Sequence, residues 1–291
     1  MSAQFRTPLA LLAIAAIFGG GILFAWATIL AIPSIDNFQN RRVSESTKIY
    51  DRTRNVLLYD VHGTMRRTAV PLDEISTNIR NATVAIEDTE FYQHYGFRPL
   101  SFIRAALADI ISGTFAQGGS TITQQVVKNS LLTRDKTIIR KIKEIILAIK
   151  LERVYSKDQI LATYLNETSY GGTIYGVQEA SQYFFGVDAK DVTLAEAAYL
   201  AALPQAPTRY SPYGNHRDQL EKRQNLVLLK MKENGFLNDE EYSAAIQEEV
   251  EFKDVREAGI KAPHFVFYVR EYLEAKNRAP GFRVAASWMG F

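Results

Sequence analysis

The chain has 291 residues, 47% of them hydrophobic, enough to bury the core of one large domain or two smaller ones. Its 34 Lys and Arg against 32 Asp and Glu leave a formal charge of +2, which gives no electrostatic reason to expect nucleic acid as a partner. Cysteine is absent, which fits an exported protein that avoids stray oxidation.

Leu9 to Ile32 runs for 24 residues without a charge, longer than the roughly 20 needed to span a bilayer core. That length favours a retained transmembrane anchor over a cleaved signal peptide, although Ala25, Ala27 and Ala31 are small enough for a cleavage site. Arg6 precedes the run and Arg41 and Arg42 follow it, so basic residues do not set its orientation. A short tail ahead of a signal-anchor would still place the following domain outside the cell membrane.

From Thr47 to Val70 stretches of alternation flank a His62-Gly63 turn, and Val56–Tyr59 with Arg67–Val70 are predicted to form a hairpin closed by Pro71. Helix signals dominate beyond it. Ser76 or Asn78 can cap a helix running through Ile79, Ala82 and Ile86 towards His94, with Gly96 as its stop. Pro99 to Ser112 carries an apolar helical stripe, and a third helix is expected after Gly118-Gly119. A fourth spans Thr137 to Val154, and further helices are expected over 157–166, 193–203, 218–234 and 239–249. The fold class is therefore mainly α.

Three segments carry chemistry. In the predicted helix ending near His94, residues Glu87, Phe91 and His94 share one face, flanked by Asp88. Carboxylates late in a helix oppose its dipole, a placement that points to function. Next, Ser120 and Thr121 lead into a capping box between Thr121 and Gln124, a helix start suited to an anion, with Lys128 one turn beyond Gln124. In the fourth helix Ile138, Ile142, Ile145 and Ile149 cluster on one side. Arg140 and Glu144 fall nearly opposite, on a side shared with Leu147 and Leu151, and Lys141 lies between. A cation ahead of an anion is the weaker order for a surface pair. The wall of a charged cleft fits better. The four histidines have no zinc-ligand spacing, and no Ser-x-x-Lys or Lys-Thr-Gly occurs.

These segments, in this order, resemble the signature motifs of glycosyltransferase family 51, the peptidoglycan glycosyltransferases that include the N-terminal part of class A penicillin-binding proteins. Lys157-x-x-Ile160-Leu161-x-x-Tyr164-Leu165-Asn166 with Tyr175-Gly176-Val177, and Leu194–Ala198 with Leu203–Pro207 and Arg209–Pro212, resemble two further motifs. Ser169 departs from the pattern, standing where many members carry an aromatic residue.

The resemblance implies a lysozyme-like domain with a small membrane-dipping lobe, to which Pro99–Phe115 would contribute. It implies a short tail at 1–8, the anchor at 9–32, a linker and hairpin at 33–70, the glycosyltransferase domain at 71–236 and a connector at 237–291. Pro263–Arg270 resembles the lead into a transpeptidase domain, whereas Ala279–Phe291 does not continue it, so no peptide cross-linking is expected. The implied substrates are lipid II and the growing glycan strand, joined at the outer face of the cytoplasmic membrane with inversion and loss of undecaprenyl pyrophosphate. Glu87 matches the general base and Glu144 the second carboxylate. Lys128, Arg140 and Lys141 match the cations around the pyrophosphates. Asp88, Phe91, His94, Ser120, Thr121, Gln124, Gln125 and Asn129 match residues that shape the cleft. No cofactor is required and no metal-ligand cluster is present, although a divalent cation, Mg or Mn, could bridge Asp88 and pyrophosphate. Partners would be the membrane, a transpeptidase and the division or elongation machinery. The alternatives are a lysozyme-like lytic enzyme and an inactive membrane-anchored scaffold.

Overall fold

The computed structural model describes residue 21, residues 47–53, 57–61, 66–99, 101, 102, 104, 119–132 and 137–253. The apolar run at 9–32 (residue 21 apart), most of the helix expected over Pro99–Ser112, and the segments Pro263–Arg270 and Ala279–Phe291 lie outside them. Among the described residues no helix is long and apolar enough to cross a membrane.

Eight α-helices are described, which agrees with the mainly α expectation. They are α1 (Thr77–Glu87), α2 (Ile122–Ser130), α3 (Ile138–Val154), α4 (Lys157–Glu167), α5 (Val177–Phe184), α6 (Leu194–Ala202), α7 (Arg217–Glu233) and α8 (Asp239–Gln247). Side-chain caps explain most of their starts. Ser76 and Thr137 each accept a backbone N–H, and Thr121, Ser156, Thr193 and Asn238 form full capping boxes. The sequence reading missed α5, which begins at Gly176 rather than at a side-chain cap. Gly176 has φ 82, and a Cβ there would meet the Asn166 carbonyl oxygen at 2.8 Å, so only glycine fits.

The core is built around α6. Ala195, Ala197, Ala198, Leu200, Ala201 and Ala202 are all buried, as expected of a helix apolar all round. Its small side chains let α1 and α7 pack closely on it, while α2 packs on α3 and α4. On α3 the buried side carries Glu144, Leu147, Ala148 and Leu151, whereas Ile142, Ile145 and Ile149 are half-buried. The side bearing Glu144 is therefore a packed one, as its leucines implied.

Two expectations need correction. The hairpin pairs β1 (Thr47–Tyr50) with β2 (Leu57–Val61), in register Thr47 with Val61, and not β2 with Arg67–Val70. β3 (Arg66–Arg67) instead runs parallel to β5 (Ile174–Tyr175), which also pairs antiparallel with β4 (Ser169–Gly171). The chain beyond β3 is held to α4 as well: Asn166 accepts the Val70 N–H at 2.9 Å and donates to its carbonyl at 2.8 Å. Second, α1 stops at Glu87 and does not reach His94. Asp88 leaves helical geometry at φ −161, and its side chain is committed elsewhere in the fold.

Candidate active site

Because α1 ends there, Glu87 projects from the last turn of a helix rather than from its middle. Its side chain is 15% exposed. One carboxylate oxygen accepts from the Gln125 amide at 2.7 Å, and the other lies 4.0 Å from the Arg223 guanidinium. Two buried tyrosines, Tyr164 and Tyr170, stand close enough that Glu87 adds to their reluctance to ionise. Burial is the main cause in both, and pushes each phenol well above its usual range. The base candidate thus sits at the junction of α1, α2, α4, β4 and α7.

Asp88 is 2% exposed and acts within the protein. Its Oδ2 accepts the Ile122 N–H at 3.1 Å and the His94 Nε2–H at 2.8 Å, while Oδ1 accepts from Arg98 at 3.3 Å. Since His94 Nδ1 accepts the Gly96 N–H at 3.1 Å, the ring proton belongs on Nε2, facing the carboxylate. Thr121 ties the same loop to α2 by donating to the Gly96 carbonyl at 2.9 Å. Gly96 itself approaches α3 so closely, at φ 83, that a Cβ would meet the Ala148 backbone at 2.7 Å. Phe91 is fully buried, with the Lys157 ammonium 4.5 Å from its ring centre. Phe91 and His94 therefore meet Asp88 through a turn, not along one helical face as the spacing suggested.

At the N-terminal end of α2, Lys141 bonds Ser120 Oγ at 2.7 Å and pairs with Glu144, which is 1% exposed. Lys128 is half-buried between the two carboxylate sites. Burial pushes its ammonium below the usual lysine range. Lys141 and Arg140 push the same way, while Glu144 and Glu87 oppose them. Neither Lys128 nor Arg140 has a carboxylate within ion-pair distance among the described residues, and Arg140 Nε is buried without a partner there. Three cations thus crowd one space with one carboxylate, Glu144, directly paired. Such an imbalance suits a polyanionic ligand. Gln124 is fully buried, with its carbonyl oxygen on the Thr121 N–H and its amide nitrogen unpartnered among the described residues. Asn129 is exposed, one position past Lys128.

Residues 54–232 match the family model described as Transglycosylase. The chain belongs to the transglycosylase family. This is the family that the motifs resembled. The chain is 40% identical over 237 residues to penicillin-binding protein 1A of Aquifex aeolicus (strain VF5), covering 79% of this chain and 32% of that protein. It is 43% identical over 238 residues to penicillin-binding protein 1A/1B of Bacillus subtilis (strain 168), covering 81% of this chain and 26% of the relative. It therefore spans about a third or less of the curated relatives it matches. Among solved structures, penicillin-binding protein 1A from Haemophilus influenzae aligns with 81% of the chain and 25% of its own, at TM-score 0.46 and 22% identity.

Three neighbours of Glu87 are not among the site residues expected from the sequence: Arg223, Tyr164 and Tyr170. Tyr164 stands inside a quoted motif, but nothing local in the sequence marks Arg223 or Tyr170 as a neighbour of Glu87. Asp88 has both oxygens taken by protein donors, so it does not offer a free ligand to a divalent cation. Among the described residues no group of three or more acidic or histidine side chains is placed to hold a metal ion. A cavity of about 570 Å³, lined by Tyr170, Tyr183, Tyr213 and no charged side chain, contains none of the predicted site residues.

Proposed function

We propose that this transglycosylase polymerises lipid II into β-1,4 glycan strands at the outer face of the cytoplasmic membrane, releasing undecaprenyl pyrophosphate. The observation that carries the reading is the nearness of two environments: a carboxylate held by Gln125, and beside it a half-buried cluster of cations short of anions. Glu87 takes the proton from the acceptor sugar's 4-hydroxyl as that oxygen attacks the anomeric carbon of the growing strand. The bond from that carbon to the pyrophosphate oxygen breaks, and the electron pair leaves with the pyrophosphate. Attack opposite the leaving group inverts the centre. Lys128, Arg140 and Lys141 stabilise the negative charge gathered on the departing group. Glu144 keeps Lys141 aimed beside Ser120 and α2's N-terminus. The lysozyme-like fold, the membrane-dipping lobe and the anchor at 9–32 belong to this reading, because they would hold the cleft at the lipid surface.

Incubating the purified protein with lipid II should give long glycan strands. Incubation with finished peptidoglycan should release nothing. Soluble muropeptides from finished peptidoglycan would favour the lytic reading, and binding of lipid II without polymer would favour the scaffold.

The low-lying Lys128 ammonium gives a pH dependence. Below its lowered pKa it is charged and holds phosphate oxygens, and as pH rises through that value the charge and the contact are lost. Affinity for lipid II should therefore fall at a pH below the ordinary lysine range. Lys128→Arg keeps a charge throughout, and should carry the alkaline rise in KM to higher pH. Identical alkaline limbs in the two proteins would remove Lys128 from the pyrophosphate site.

A further inference from the structure

We propose that Arg223 of α7 is a positioning residue for the reaction, holding the Glu87 carboxylate in its reactive orientation. The inference rests on the reading of Glu87 as the general base. Arg223 is itself held from behind. Its Nε donates to the Ala202 carbonyl at 3.1 Å, at the C-terminal end of α6, where a helix favours a cation. The guanidinium side chain is 14% exposed, and its far end reaches 4.0 Å from Glu87 Oε1 while Gln125 holds Oε2. Among the described residues Arg223 is the cation within ion-pair distance of Glu87.

The groups facing Glu87 make this support necessary. Lys128 on α2 acts at longer range, and Tyr164 on α4 and Tyr170 on β4 present buried phenols. An ionised carboxylate so placed needs a fixed counter-charge to stay in one rotamer, and a displaced base loses rate steeply. Gln125 from α2 and Arg223 from α7 address different oxygens of the carboxylate.

Two measurements test this. In lipid II polymerisation, Arg223→Gln should lower kcat by about 10²-fold with KM within about twofold. Arg223→Lys, which keeps a charge, should recover part of that loss. A raised KM at unchanged kcat would make Arg223 a substrate contact, and an unchanged kcat would leave it without a role; either result overturns the proposal. The second measurement needs no activity. Glu87→Gln, Arg223→Gln and the double variant are unfolded thermally, and their effects on the unfolding constant should fall short of multiplying by roughly threefold or more. Strictly multiplicative effects would show that the two side chains are not coupled, and would also overturn it. If Arg223→Gln does not fold, Arg223→Lys enters the same cycle. If the unsubstituted chain makes no glycan, the proposed function fails while the cycle still decides whether Arg223 holds Glu87.

Discussion

Glu87→Gln is expected to lower the rate of lipid II polymerisation by about 10²–10⁴-fold, the usual contribution of a positioned general base. The folded protein should change little. Glutamine has the shape of glutamate, so one side-chain oxygen can still accept from Gln125, and the site is a half-open one at a helix end. What disappears is the capacity to take a proton, together with the charge that Arg223 faces at 4.0 Å. A neutral sugar hydroxyl would then have to attack unassisted. Lipid II binding should persist, because the substitution leaves Lys128, Arg140 and Lys141, the cations proposed to hold the pyrophosphate, in place. The comparison requires polymer yield from labelled lipid II, a binding isotherm for the same ligand and a melting curve for both proteins. Near-wild-type polymer from a folded variant would remove Glu87 from the chemistry and with it the proposed mechanism.

How much of this site could be read in the sequence follows from the range of the interactions that build it. The start of α2 was legible because a capping box is local: Thr121 and Gln124 satisfy each other three positions apart. The packed character of the Glu144 side of α3 was legible for the same reason, since Leu147 and Leu151 repeat on it at helical spacing. The end of α1 was not. Phe91 continues the apolar period beyond Glu87, so periodicity alone extends the helix. What breaks it is the buried Asp88 carboxylate, whose partner is a backbone N–H on another helix. The hairpin failed similarly. Arg66 and Arg67 carry strand character, but their partner strand at Ile174–Tyr175 lies on a distant part of the chain. Arg223 shows the limit most plainly. It stands in a charged helix, among residues that form ordinary surface ion pairs such as Arg217 with Glu221, and only packing of α7 on α1 brings it to Glu87.

Asp88→Ala should destabilise the fold by about 3–5 kcal/mol, the usual cost of stripping one partner from a buried, hydrogen-bonded ion pair. The side chain is 1% exposed, and its loss orphans the Ile122 N–H and the His94 Nε2–H and takes from Arg98 one of its two carboxylates, leaving Glu90 at 2.6 Å. His94 cannot recover by changing tautomer, because Nδ1 is already bound to the Gly96 N–H. Against a typical total of about 5–15 kcal/mol this is a large fraction. At about 2–4 °C per kcal/mol for a domain of this size, the melting temperature should fall by roughly 10 °C. Asp88→Asn should cost less. Its carbonyl can replace Oδ2 towards Ile122 and His94, but its amide would then face Arg98 donor to donor. The order wild type, Asn, Ala in thermal melts therefore separates the hydrogen bonds from the charge. Activity should follow the same order at temperatures where all three are folded, since Asp88 anchors the N-terminus of α2 and so sets Gln125 against Glu87. An Ala variant melting within about 2 °C of wild type, a shift worth no more than about 1 kcal/mol, would show that the carboxylate does not hold these elements together, and Asp88 would return to the candidates for direct substrate contact.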